Sequence, residues 1–248
     1  MLPALLLLIV SVTVAQNPKP KASQSNTPPS TQKPVQSQAK SSQPPVNLLG
    51  DHYGRKYVIA SRWNDFDVAK DAMYDLIVEY PASDSLIFAL AYYYYENQKY
   101  PSSVLICQDL LSRNPKSAQA LELSGLGYEN LNINDRALQS FESLFLITNN
   151  NSTLYKMAFL QYQLKRYQES LTNADFLLTK PEADSLKVTY NDATNAPKEY
   201  ILKVALLNLK GMVYKDQSDK VNAKKFFEEA LKLAPDFAPA KKNLEAVK

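Results

Sequence analysis

Histidine, cysteine and tryptophan each occur once in these 248 residues, as His52, Cys107 and Trp63, and glycine only five times. One cysteine closes no disulfide within the chain, and one thiol with one imidazole cannot assemble a zinc-type ligand set. A nucleophile-base-orienter triad would have to be built on His52, which sits in a flank poor in pattern, so no such reading persuades. Gly125-Leu-Gly127 lacks both the third glycine and the preceding strand of a phosphate loop, and reads instead as a helix-packing pair. Glu228-Glu229, adjacent on a helical pattern, diverge in direction and read as solvated surface. No catalytic residue, no metal site and no cofactor is therefore expected. Cys107 lies in the apolar stretch Ser103-Val-Leu-Ile-Cys-Gln and reads as a small buried hydrophobe rather than a nucleophile.

Excess charge is lacking too. The formal balance is +3, but Lys19, Lys21, Lys33 and Lys40 precede residue 48 with no acid among them, which leaves the remainder one unit negative. A nucleic-acid surface needs clustered Lys and Arg to displace counterions from phosphates, so no nucleic-acid partner is expected.

What is present begins with an apolar run, Leu2 to Val14, followed by Ala15-Gln16. The run is too short for the roughly 20 residues of a membrane-crossing helix, and Thr13-Val14-Ala15 offers a small-residue cleavage site. Residues 1–15 are read as a signal peptide. The expected location is secreted or periplasmic, without a lipid-anchored cysteine and without a transmembrane helix in the mature chain. The usual Lys or Arg ahead of the apolar run is missing. Residues 16–47 hold seven prolines among Ser, Gln, Lys, Thr and Asn, a composition that cannot bury enough apolar surface to offset its ordering entropy. They are expected to form a disordered linker.

The rest repeats. Ala69, Ser103 and Ala137 are spaced by 34 residues, as are Pro81 and Pro115, and Ala91 and Gly125. A fixed period of this length signals a stacked array. The clearest unit, Val204 to Phe237, places Leu207, Gly211, Tyr214, Ala223, Phe227, Ala230 and Pro235 in turn. Ile87, Ala91, Tyr94, Ser103, Cys107, Leu110 and Pro115 repeat that order, as do Leu121, Gly125, Tyr128, Ala137, Phe141 and Leu144. A weaker copy keeps Leu154, Ala158, Ser170, Ala174 and Leu177, with Gln161 where an aromatic is expected.

These residues resemble the tetratricopeptide repeat, in which small residues let two antiparallel helices approach, large ones fill the gaps and a proline stops the second helix. The resemblance covers about residues 50 to 248. It implies an all-α fold, a right-handed superhelix or solenoid of stacked antiparallel helix hairpins. The repeats run at about 50–83, 84–117, 118–150, 151–179 and 204–237, the first degenerate, with a capping helix at 238–248. The spacing from Ala158 to Gly211 exceeds the period by 19 residues, which marks an insertion at 180–199. That insertion reads as loop with one short extended segment around Leu186 to Tyr190. The leader and the lysine-rich ends are similar to exported repeat proteins of Bacteroidetes-type bacteria.

In this family the first helix of each hairpin lines a concave groove. The resemblance places Phe88, Tyr92 and Tyr95 there, then Glu122 and Glu129 beside Leu126, then Tyr155, Phe159 and Tyr162, and Met212 with Asn208 and Lys215 at the last level. Tyrosine supplies contact area, low rotamer entropy and a hydroxyl, which suits peptide or glycan recognition. The Lys and Asn clamp by which cytosolic members hold a terminal carboxylate is absent from these positions. The expected function is a non-enzymatic extracytoplasmic scaffold holding a protein or peptide partner in the groove, with envelope association. A glycan-binding accessory protein and a structural homo-oligomer are the alternatives.

Overall fold

A computed structural model describes residues 48–192 and 196–247; the expected signal peptide and linker lie outside the described residues. Among these, eleven helices follow one another, ten of them as antiparallel pairs. The pairs are α1 (Leu48–Arg62) with α2 (Phe66–Glu79), α3 (Asp84–Glu96) with α4 (Tyr100–Arg113), and α5 (Ala118–Asn130) with α6 (Asn134–Thr148). They continue with α7 (Asn151–Gln163) and α8 (Tyr167–Leu178), then α9 (Leu202–Asp216) and α10 (Lys220–Leu233), and α11 (Ala238–Glu245) closes the series. Each hairpin packs on the next, so the described residues form the expected solenoid of helix pairs.

The period is written in the backbone as well as in the side chains. The turn inside every hairpin carries one residue in the left-handed region: Asn64, Gln98, Asn132, Lys165 and Ser218. None is glycine, although an L side chain there costs about 1–2 kcal/mol. Lys165 is exposed and, among the described residues, no hydrogen bond or ion pair of its side chain is seen, so its replacement has little to lose. Lys165→Gly is expected to raise stability by about 0.5–1 kcal/mol, the strain relieved exceeding the entropy added to the unfolded chain. Urea unfolding followed by circular dichroism checks this, and a lower midpoint would refute it.

Between hairpins the terminators differ. Pro81, Pro115 and Pro235 follow α2, α4 and α10, whereas α6 ends on Asn149 in the left-handed conformation at φ 49°, the alternative stop that asparagine provides. The next helix starts at once, with the Asn150 side chain accepting from the Ser152 amide at 2.7 Å.

In the second to fifth hairpins one small residue of the first helix faces a residue sixteen places later in the second. The pairs are Ala91 with Cys107, Gly125 with Phe141, Ala158 with Ala174, and Gly211 with Phe227, all but completely buried. Where the first member is glycine the second is phenylalanine, and a β-carbon on Gly125 or Gly211 would stand 2.8 or 2.4 Å from a ring carbon of its partner. Helix spacing is thus held constant by exchanging volume between facing positions.

Two elements differ from the expectation. The first helix, in the repeat expected to be degenerate, is regular over the fifteen residues Leu48–Arg62. The insertion contains two strands, β1 (Lys187–Asn191) and β2 (Pro197–Ile201), antiparallel and in the register Val188 to Tyr200 and Tyr190 to Lys198. The second strand was obscured by Pro197, Lys198 and Glu199, which suit only the exposed edge they occupy. A short 3₁₀ turn, Pro181–Asp184, leads into the hairpin.

Candidate functional site

The aromatic and charged residues of the first helices divide into three groups along the array. At the level of α3, Tyr92 is 45% exposed and stacks on Phe88 with ring centroids 6.5 Å apart. Tyr95 is half buried, packs edge-on against Tyr100 at 5.4 Å and accepts a 3.3 Å hydrogen bond from Asn130 of α5. The four-tyrosine run therefore splits as helix geometry requires. Tyr93 donates to the Phe66 carbonyl at 3.2 Å and Tyr94 shares a 2.8 Å bond with the Tyr74 hydroxyl, both toward the first hairpin. One level earlier the positions equivalent to Phe88 and Tyr92 hold Gly54, with nothing within 4 Å of where a β-carbon would be, and exposed Val58.

At the level of α5, Glu122 is exposed, while Glu129 is half buried and ion-paired to Lys156 of α7 at 3.4 Å. Lys156 also lies 5.4 Å from the centre of the Phe141 ring. Both contacts fix this lysine across the boundary between the third and fourth hairpins.

At the level of α7 the β-hairpin takes over. Leu186 and Val188 pack against the same core as Tyr155 and Phe159. The Tyr190 hydroxyl bonds to that of Tyr155, and the Tyr190 ring meets Phe237 edge-on at 5.0 Å. Tyr200 meets the other side of Phe237 at 4.8 Å, and its hydroxyl donates to Asp236, which also holds Lys198. Burial pushes the Tyr155 hydroxyl well above its ordinary range and raises that of Tyr190. Both act as neutral hydrogen-bonding groups under all physiological conditions. Tyr155 is thus partly covered by β1. Tyr162, one turn beyond Phe159, donates to Asp216 at the end of α9 at 2.9 Å, and burial again raises its hydroxyl strongly.

The last level is also covered. Met212 packs with Leu244 on the cluster of Ala223, Phe227 and Val247, and Asn208 and Lys215 both bond to Asn243 of α11. The capping helix sits where the first helix of a further hairpin would.

Of the residues expected on the inner face, Tyr92 and Glu122 are exposed and Phe88, Tyr95 and Phe159 are half buried. A cleft of about 380 Å³ opens where α5 and α7 meet the hairpin, lined by Glu129, Ser152, Tyr155, Lys156, Phe159, Leu186 and the β1 residues Lys187 to Tyr190. Ser152, Lys156 and the β1 residues carry no signal in the repeat pattern. Ser152 and Lys156 belong to α7 itself, whereas the residues from Leu186 to Tyr190 enter through an insertion whose position on α7 depends on contacts spanning 35 residues and more.

Among the described residues no cluster of three or more His, Cys, Asp or Glu has the arrangement to hold a metal ion, and no helix is long and apolar enough to cross a membrane. His52 lies exposed on α1 beside Tyr53, and Cys107 is fully buried.

No protein-family model matches the chain, and no curated protein matches it either. Solved structures do. A tetratricopeptide repeat protein from Parabacteroides merdae is 15% identical, with 80% of this chain and 72% of that one covered and a TM-score of 0.62. YrrB, described as a tetratricopeptide repeat protein with an unusual peptide-binding site, is 11% identical over 78% of this chain and 90% of its own, with a TM-score of 0.61. MamA is 12% identical, covering 75% of this chain and 92% of its own, with a TM-score of 0.58.

Proposed function

From the tetratricopeptide-repeat fold, we propose that this chain is a non-enzymatic scaffold that works outside the cytoplasm and holds an extended segment of a protein partner. The segment lies along the inner face from α3 to α7. The observation that carries the reading is the accessible row of Phe88, Tyr92, Tyr95 and Phe159, which leads into a cleft bounded by β1 instead of ending on bare helix. Aromatic rings that are half buried before a partner arrives are already ordered, so covering them costs little further entropy. Exposed Glu122 along the same path favours a partner with a basic or neutral stretch at that level. Peptide binding by a protein of the same fold supports the reading, as the leader at residues 2–14 supports the location outside the cytoplasm.

Affinity capture from the source organism's envelope fraction tests this, with the chain compared to a variant carrying Tyr92→Ala, Glu122→Lys and Phe159→Ala. The expected result is one polypeptide retained by the first and reduced at least about tenfold with the second, each substitution removing on the order of 1 kcal/mol. Equal retention by both, with unchanged helicity, would refute the groove.

A second reading, self-association, is favoured by the first hairpin, where Leu48, Trp63 and Val78 are each about three-quarters exposed. Light scattering over a concentration series separates it from partner binding.

A further inference from the structure

We propose that the outer edge of β1 is a strand-addition site, at which an extended peptide with alternating apolar and acidic side chains pairs with the backbone of Lys187 and Thr189 and becomes a third strand. This rests on the groove reading above and narrows it to one recognition mode and one class of ligand.

The hydrogen-bond phase of the hairpin decides which groups face outward. The Leu202 amide donates to the Leu186 carbonyl at 2.8 Å, and the Asp192 amide to the Ala196 carbonyl at 2.8 Å. In the observed register these two pairs, with Val188–Tyr200 and Tyr190–Lys198 between them, are the hydrogen-bonded pairs. Lys187 and Thr189 alternate with them, so their N–H and C=O groups point away from β2. Among the described residues no hydrogen bond from or to these four backbone groups is seen.

The cleft lies on that same side. Its walls are β1 and residues of α5 and α7, and none of them belongs to β2. A strand laid about 4.8 Å from β1 occupies the cleft and passes over Tyr155 and Phe159.

Side-chain alternation then sets the ligand's chemistry. Leu186, Val188 and Tyr190 face the helices and are half buried, whereas Lys187 and Thr189 are exposed. A ligand residue beside Val188 turns its side chain down onto Val188, Tyr155 and Phe159, which calls for an apolar group. Its neighbours turn up beside Lys187, whose ammonium forms no ion pair among the described residues. Lys156, also in the cleft, has its charge answered by Glu129. The unanswered cation is Lys187, and an acidic ligand residue complements it. Exposed edge strands are normally blunted by charge or proline, as β2 is by Pro197, Lys198 and Glu199. On β1 the edge facing the cleft bears only Lys187 and Thr189.

The probe is a fluorescein-labelled, acetylated hexapeptide of sequence Glu-Val-Glu-Val-Glu-Val, titrated against the full chain by fluorescence anisotropy. Two N-methylated forms accompany it, one blocking each edge, with a Lys-Val repeat as charge control. Saturable binding is expected, weakened about tenfold by methylation of one edge and by less than about twofold by methylation of the other, since only one set of amides pairs. Thr189→Pro, tolerated because its N–H bonds to nothing among the described residues, should weaken binding about fivefold, and Lys187→Glu should reverse the preference toward the Lys-Val repeat. No binding of any probe, or binding indifferent to which edge is methylated, overturns strand addition. Indifference to methylation combined with loss on Phe159→Ala would overturn strand addition alone and leave the groove reading standing.

Discussion

Gly211→Ala is expected to destabilise the domain by about 1–3 kcal/mol, yet to stabilise it when Phe227 is already alanine. In a solvated helix the substitution gains about 0.5–1 kcal/mol, because alanine loses less backbone entropy on folding. Here the added β-carbon would stand 2.4 Å from a ring carbon of Phe227, a side chain with no exposed surface and no room to retreat. Phe227→Ala alone should cost about 3–5 kcal/mol as a core cavity. With the ring gone the clash disappears and the propensity gain returns, so the pair is strongly coupled. The last hairpin would then resemble the fourth, where Ala158 faces Ala174. Guanidinium unfolding of the four proteins completes the cycle, and additive effects would show that the two helices do not set their spacing through this pair.

Alkaline pH should unfold the protein well before its helices lose intrinsic stability. Burial pushes the Cys107 thiol from an ordinary value near 9 up to about 12. Burial likewise raises the hydroxyls of Tyr155 and Tyr190 above 10. Each group holds its proton more tightly folded than unfolded. Its contribution is complete below the unfolded pKa and is lost as pH rises toward the folded one. Cys107 should therefore cost about 1.4 kcal/mol per pH unit from pH 9, or about 3 kcal/mol by pH 11, with the tyrosine pair adding to the slope from pH 10. Cys107→Ala, which recreates the alanine pairing of the fourth hairpin, should move the onset from about pH 9 to about pH 10. Melting temperature measured from pH 7 to 11 reads both onsets. A flat profile to pH 11, or one unaltered by the substitution, would contradict the burial of these groups.

The repeats were legible because their signal is local and redundant. Small residues such as Ala91 and Gly125, each facing a partner sixteen residues on, recur at a fixed period that random sequence does not sustain. The first hairpin was less so, since exposed Leu49, Tyr57 and Val58 blur the apolar face of α1. The insertion was half legible. Alternation marks Leu186, Val188 and Tyr190, but Pro197-Lys-Glu-Tyr-Ile has the composition of a loop. Its consequence for the inner face was beyond sequence reasoning altogether. Tyr155, Phe159 and Tyr162 look equivalent to Phe88, Tyr92 and Tyr95 by spacing, and only the bond of Tyr190 to Tyr155 and the docking of Tyr190 on Phe237 make them different. Helical spacing identifies a shared face, whereas the cover over that face is set by residues distant in sequence.

The inner face as a binding groove is tested most directly by placing a photo-crosslinking phenylalanine analogue at single positions and irradiating whole cells of the source organism. Tyr92 and Phe159 on the first helices are compared with Leu105 and Leu146, exposed on the second helices α4 and α6. The expected result is one crosslinked polypeptide shared by Tyr92 and Phe159 and missing at Leu105 and Leu146. Crosslinks only from the second helices, or none from Tyr92 and Phe159 while the protein is folded and present, would contradict a partner held on the inner face.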